Sequence, residues 1–248
     1  MRGLLVTGTD TGVGKTVLSA ALLAAMAAAG EPVRAYKPVL TGLACAGPAG
    51  WPPDHELLAA VTGMRAEEIA PLRYAPAASP QLAAALSGER IDPARLLASV
   101  PADPAQTVIV EGVGGLLTPL ADGYSVRELA VSLRLPLLVA SRPGLGTINH
   151  TLLTLEAARA AGLEVRAVIF TQWPERPSEL ELSNRDTIAR MAGVAVAELA
   201  RVSAPRPNEL ARAGARLPWK EWLGASGVDA CPARTNQPHF AGAPGARE

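Results

Sequence analysis

An open, mostly parallel α/β sheet with helices on both faces is the fold this sequence predicts, and three observations predict it. Short, nearly continuous apolar runs rich in β-branched residues recur along the chain, the pattern of strands buried on both faces. Longer Ala/Leu segments alternate with them, as crossover helices between parallel strands would. At 248 residues, 49% hydrophobic and 19% charged, the chain has the length for one substantial core or two small ones and an ordinary globular composition.

Taken in order, a first strand at residues 2–6 runs into a Gly/Thr-rich turn and then a helix over 15–29, closed by Gly30. A second strand at 33–36 ends at Lys37-Pro38, followed by a loop over 45–53 rich in Gly and Pro. Helices are expected at 55–62, 81–86 and 93–100, then a strand at 107–110, a helix at 125–133 and a strand at 136–140. A helix over 147–161 ends before Gly162, in the position of a helix C-terminal glycine. A strand at 165–170 and a helix at 180–191 complete the pattern. No repeat or composition shift marks a second domain. Residues 1–224 are read as one domain, and 225–248, without periodicity, as a disordered tail.

Composition excludes several classes. Positive and negative side chains balance at 23 each, so no basic excess speaks for nucleic acid and no polybasic run for an anionic membrane. Cys45 and Cys231, the only cysteines, are too few for a disulfide framework or a cysteine metal site and fit a reducing cytoplasm. The apolar run over 17–29 is too short to span a bilayer and reads as a buried helix. A cytoplasmic protein is expected.

The chemistry-bearing stretch is "VTGTDTGVGKT", residues 6–16. A strand, a Gly-rich turn and a helix start let backbone amides surround an anion. Lys15 would place a charge at the β- and γ-phosphates of a nucleotide, and the Thr16 hydroxyl would bind Mg²⁺. The usual phosphate loop has four residues between its first Gly and Gly-Lys-Ser/Thr; here five separate Gly8 from Gly14. The plain alternative is a Gly-rich strand–helix connection. In "TVIVEGVGGLLTPL" (107–120) an apolar strand ends in Glu111, placed to hold Mg²⁺ at the sheet edge where ligands of open α/β folds bind, or else to cap a helix. Gly112 and Gly114 let the backbone approach a ligand closely. In "AYKPVLTG" (35–42) Lys37 closes a strand at the same edge, either to stabilise an anion or as a solvated lysine. Asp54 opens a helix, where N-capping is the common role of Asp.

Together with "LGTINHTLLTLEA", these stretches resemble dethiobiotin synthetase, in order and at family-like distances, over roughly residues 3–171. The Gly-Thr-Asp-Thr of the longer loop is a specific marker and accounts for the extra residue, whereas the strand-end "EGVGG" is shared by related ligases. The resemblance implies a fold of P-loop NTPase type. It also implies an ATP-dependent, Mg²⁺-requiring closure of a cyclic urea from 7,8-diaminononanoate and CO₂ or bicarbonate, by way of a carbamate and a mixed anhydride. It makes Lys15 and Lys37 the catalytic cations and Thr16, Asp54 and Glu111 the Mg²⁺ ligands. Gly12, Val13, Gly14, Lys15, Thr16 and Val17 would hold the nucleotide, with Asp54, Glu111, Gly112, Val113 and Gly114.

The same resemblance assigns Thr11, Thr41, Gly146 and Asn149 to the substrate. It sets the helix of "RPGLGTINHTLLTLEA" at a two-fold interface of a homodimer, where it serves the partner's site and makes Asn149 and His150 interface residues; a general-base role is the alternative for His150. Thr171 and Gln172, in "VIFTQWPERP", occupy the positions where the family often carries an Asn-led pair that reads adenine. The nearest counterpart of the family's later turn near the base is "VSAPRPNE", residues 202–209. Two rivals remain. Cobyrinate amidation ligases share the loop but add a glutaminase domain for which this chain is too short. Partitioning-type ATPase switches, which answer to DNA or protein partners, carry a lysine early in the loop where Thr9 and Asp10 stand.

Overall fold

A computed structural model of the chain describes residues 1–45, 50–101 and 103–224. The tail expected over 225–248 lies outside the described residues, as does part of the loop expected over 45–53.

The strands are β1 (Arg2–Gly8), β2 (Val33–Tyr36), β3 (Val39–Thr41), β4 (Leu72–Tyr74), β5 (Thr107–Glu111), β6 (Pro119–Ala121), β7 (Tyr124–Ser125), β8 (Leu137–Ser141), β9 (Val165–Trp173) and β10 (Ala195–Ala200). The helices are α1 (Lys15–Ala28), α2 (Asp54–Thr62), α3 (Ala66–Ile69), α4 (Pro80–Leu86), α5 (Pro93–Ala98), α6 (Val126–Leu133), α7 (Thr147–Ala160), α8 (Glu179–Met191), α9 (Pro207–Gly214) and α10 (Trp219–Gly224). Six strands form the main sheet in the order β10-β9-β8-β1-β5-β2, and every pairing in it is parallel. The two other sheets, β3-β4 and β6-β7, are two-stranded.

The central strands β1, β5 and β8 are buried on both faces, as their near-continuous apolar sequence requires. Leu4, Val6 and Ile109 face a core shared with α1, α2, α9 and α10. Leu5, Val108 and Val110 face the opposite core, with α4, α5 and α6. The expected doubly covered sheet is therefore present. The Ala-rich α1 is buried along most of its length. α9 lies so close that a Cβ on Gly214 would come 2.0 Å from the Ala21 carbonyl oxygen. Among the described residues no helix is long and apolar enough to cross a membrane.

Sequence periodicity did not reveal β10, α9 or α10. Ala195–Ala200 reads AVAELA, carrying helix-forming Ala and Glu, and among the described residues it pairs only with β9, at the sheet edge. Half-exposed edge strands carry no continuous apolar run. Their place matters, because β10 delivers residues 200–203 to the C-terminal edge of the sheet beside the turn after β1. In the sheet order the chain departs from β1 in both directions, and the crevice outside the strand C-termini at such a reversal is where open α/β folds bind ligands.

Candidate active site

The turn between β1 and α1 is shaped by two glycines in the left-handed region, Gly12 at φ 71° and Gly14 at φ 86°. Gly14 is the N-cap of α1, and no side chain caps that helix. The first amides of α1 are thus left for an anion, supported by the positive end of the helix dipole. Lys15 is buried, and its Nζ donates to the Asp10 carbonyl at 2.9 Å across the loop. Burial, with help from the neighbouring Lys37 ammonium, lowers its pKa to about 8.

Lys37 leaves β2, Glu111 ends β5 and Asp54 begins α2; the three meet at one point. Lys37 Nζ lies 2.5 Å from Glu111 Oε1 and 2.8 Å from Asp54 Oδ2, with only 3% of the lysine side chain exposed. Thr16 Oγ1 donates to the same Glu111 oxygen at 2.7 Å. Burial alone would depress Lys37, but the Glu111 and Asp54 carboxylates outweigh it and hold the ammonium above its usual range. For Asp54 burial pushes upward, and Lys37 overrides it to keep the carboxyl below its ordinary value.

Three sequence alternatives fall away here. The N-cap of α2 is Pro53, and Asp54 spends its carboxylate on Lys37, so Asp54 is not a helix cap. Glu111 is bound to Lys37 and the Thr16 hydroxyl, so it is not a cap either. Nor is Lys37 a solvated lysine.

These groups open onto a cavity of about 610 Å³. Thr11, Gly12, Gly14, Lys15, Thr16, Val17, Lys37, Thr41, Asp54, Glu111, Val113, Gly114 and Gln172 all line it. Five expected residues do not. Val13 is in the core at 1% exposure, and only its main chain belongs to the turn. Gly112 is buried against Val126 and Val6. Gly146 and Asn149 are exposed at the start of α7, away from the cavity. Thr171, expected among the nucleotide-binding residues, turns its side chain away from the cavity: it is fully buried, and its hydroxyl donates to the Val13 carbonyl. Gln172, at φ 55°, is exposed and reaches the cavity in its place.

Sequence reasoning missed Leu40, Trp51, Pro52, Leu57, Ala200 and Arg201, which supply much of the cavity wall. A Trp three residues before a singled-out Asp was one available signal. Arg201 could not be found without β10. A smaller cavity of about 340 Å³ adjoins, sharing Gln172 and Arg201 and lined also by Thr9, Gly144, Leu145 and His150.

Among the described residues Glu111 Oε2 is buried without a hydrogen-bond partner, while its Oε1 meets the Thr16 hydroxyl and shares Lys37 with Asp54. Among the described residues no group of three or more His, Cys, Asp or Glu forms a metal cage. Two carboxylates and a hydroxyl are the donor set of Mg²⁺, which keeps water and phosphate oxygens as its other ligands. The residues fit that ion.

A family profile described as an AAA domain matches residues 2–206. The chain is 39% identical over 229 residues to the ATP-dependent dethiobiotin synthetase BioD of Mycobacterium sp. (strain JLS), covering 90% of this chain and 98% of that one. It is 41% identical over 207 residues to the BioD of Anaeromyxobacter sp. (strain Fw109-5), covering 78% and 91%. The BioD of Bacillus subtilis (strain 168) is 36% identical over 200 residues, covering 79% and 85%.

Proposed function

The chain belongs to the ATP-dependent dethiobiotin synthetase family, and from that premise we propose that it joins CO₂ to the two amines of 7,8-diaminononanoate to close a cyclic urea at the expense of ATP. The observation that carries the reading is the buried meeting of Lys37, Asp54, Glu111 and Thr16 beside an open phosphate loop. One amine takes up CO₂ and loses a proton, giving a carbamate. A carbamate oxygen attacks the γ-phosphorus, ADP leaves, and a carbamic–phosphoric anhydride forms. The second amine then attacks the carbonyl carbon, phosphate departs, a proton is lost and the ring closes.

No protein nucleophile is needed, since the substrate brings both amines. The chain's task is to position anions and to stabilise the charge they develop. The loop amides and Lys15 hold the β- and γ-phosphates, with Lys37 serving the carbamate and transferring phosphoryl group. Thr16, Asp54 and Glu111 would hold Mg²⁺, which would supply positive charge to neutralise the phosphates. Thr11 and Thr41 contact the diamine. The exposed start of α7, with Gly146 and Asn149, reaches the substrate carboxylate of a partner subunit in a homodimer. The setting is the cytosol.

Mass spectrometry on the purified protein with diaminononanoate, bicarbonate, ATP and Mg²⁺ tests the reading. Dethiobiotin should accumulate and ADP release should depend on the diamine. ATP turnover indifferent to diamine and bicarbonate but raised by DNA or a protein partner would overturn it in favour of an ATPase switch.

A further inference from the structure

Thr171 ends up at neither a surface nor a cavity. Ala167 and Ile169 of β9 pack into the core on the α1 side of the sheet, and the two-residue period of a strand puts Thr171 on that same side. There its hydroxyl donates to the Val13 carbonyl and lies 3.2 Å from the Ser141 carbonyl oxygen at the end of β8. Ser141 Oγ lies in turn 2.7 Å from Thr147 Oγ1 and 3.0 Å from Thr151 Oγ1 of α7. All four side chains are buried.

The turn sits directly on this threonine. A Cβ built on Gly14 would come 2.9 Å from Thr171 Oγ1 and 3.0 Å from Thr171 Cβ, so only glycine fits, apart from the demand of its positive φ. A turn that aims its amides outward at an anion must direct some carbonyls inward. Val13, between left-handed Gly12 and Gly14, is such a residue. A buried carbonyl with no donor is disfavoured. The hydroxyl therefore favours the turn shape that leaves the amides open over shapes in which that peptide has rotated.

We propose that Thr171 is a positioning residue of the phosphate loop: its hydroxyl holds the peptide after Val13 in the anion-competent orientation and takes no part in reading the base. The inference rests on the proposed function only for the identity of the anion, a nucleoside triphosphate. Because the competent shape becomes less populated without the hydroxyl, apparent affinity should fall by that fraction.

The test is calorimetric binding of Mg·ATP and of inorganic tripolyphosphate to the wild type, Thr171→Val and Thr171→Ser. Thr171→Val should weaken both ligands by about the same factor, near tenfold, equal to about 1.4 kcal/mol. Thr171→Ser, which keeps the hydroxyl, should bind both within about threefold of wild type. Unchanged ATP affinity in Thr171→Val would overturn the proposal, as would a serine variant as weak as the valine one. Loss confined to ATP, with tripolyphosphate unaffected, would overturn it in favour of a base contact. Should Thr171→Val not fold, Thr171→Cys, of similar size and with a weak donor, carries the same comparison. Binding is read directly, so the result stands whether or not the chain forms dethiobiotin.

Discussion

Two glycine-led turns in this chain open helices of equal length and differ in what surrounds them. Gly14 before α1 and Gly146 before α7 are both left-handed N-caps, at φ 86° and 89°, and neither helix has a side-chain cap. Neither therefore spends a side chain on its first amides, although at α7 the Thr147 amide donates to the Gly144 carbonyl. Around the first turn the chain supplies buried Lys15, Lys37 and Glu111 and a cavity wall. Around the second it leaves Leu145 at 90% exposure and Leu153 at 58%, with Asn149 and His150 also exposed. The same backbone device is thus finished by the chain itself in one place and left open in the other. An apolar, unfinished helix start is the form of a surface that another molecule completes. On the proposed function that molecule is a second copy.

Removing the charge at the finished turn should have the largest effect. Lys37→Ala should lower dethiobiotin formation by at least about a hundredfold, the worth of one well-placed electrostatic contact of ~3 kcal/mol. The Lys37–Glu111 pair is buried, so the variant also loses a counter-charge. A thermal melt must show that it still folds. Excess EDTA should silence the wild type as well. Near-normal turnover in either case would remove the distinction between the two turns.

The unfinished turn is probed by mixing. If each site draws on Asn149 of the partner, Asn149→Ala and Lys37→Ala should both be weak alone. Co-refolded, they should recover about a quarter of wild-type activity, since half the dimers are mixed and each mixed dimer has one intact site. Recovery absent, with light scattering showing a monomer at assay concentration, would mean that nothing completes α7. Leu145→Glu should in that frame break the dimer and lower activity by about tenfold.

The two turns were also unequally legible. The finished one could be read because its parts lie at strand ends: apolar runs mark β1, β2 and β5, a Gly-rich turn follows the first, and the polar residues that stop the other two, Lys37 and Glu111, are the functional ones. Its walls could not. Leu57 and Arg201 come from segments more than a hundred residues apart, and only the packing of α2 and β10 at one sheet edge unites them. Thr171 shows another limit. Aligned position suggested the base, but strand parity turns its side chain toward α1, and Gln172 next to it turns outward. For α7 the Gly-rich start was visible, yet exposure of Leu145 is a tertiary fact that hydrophobicity alone argues against.

Acidity offers a gentler probe of the first turn. Burial lowers Lys15 to about 8 in the free protein. Its charged fraction should therefore drop from about 0.9 at pH 7 to about 0.1 at pH 9. A bound phosphate favours the charged form, so the cost of supplying the proton appears as weaker binding on the alkaline side. Mg·ATP affinity should fall by up to about tenfold between pH 7 and pH 9, and Lys15→Met should flatten that slope. A wild type whose affinity rises or stays level over this range would show that Lys15 is charged throughout.

The smallest effect should come from the base. The phosphate loop is blind to it, so ATP should be usable but not strongly preferred over CTP, GTP and UTP. An Asn side chain would set a donor and an acceptor in one plane against adenine. Thr171 offers one hydroxyl, and it is committed to Val13. Gln172 does reach the cavity with an equivalent amide, but from an exposed position on a longer stem. Ordering that stem costs rotamer freedom and erodes the contact. A base-reading contact is worth about 1–3 kcal/mol when well made, so its partial loss compresses selectivity by about ten- to a hundredfold. With the diamine saturating, kcat/KM for ATP should exceed that for the other triphosphates by only about tenfold. Gln172→Ala should remove most of that remainder while leaving tripolyphosphate binding unchanged. A lead for ATP greater than a hundredfold that survives Gln172→Ala would assign the reading to the main chain of residues 200–203, the wall that β10 brings to the cavity.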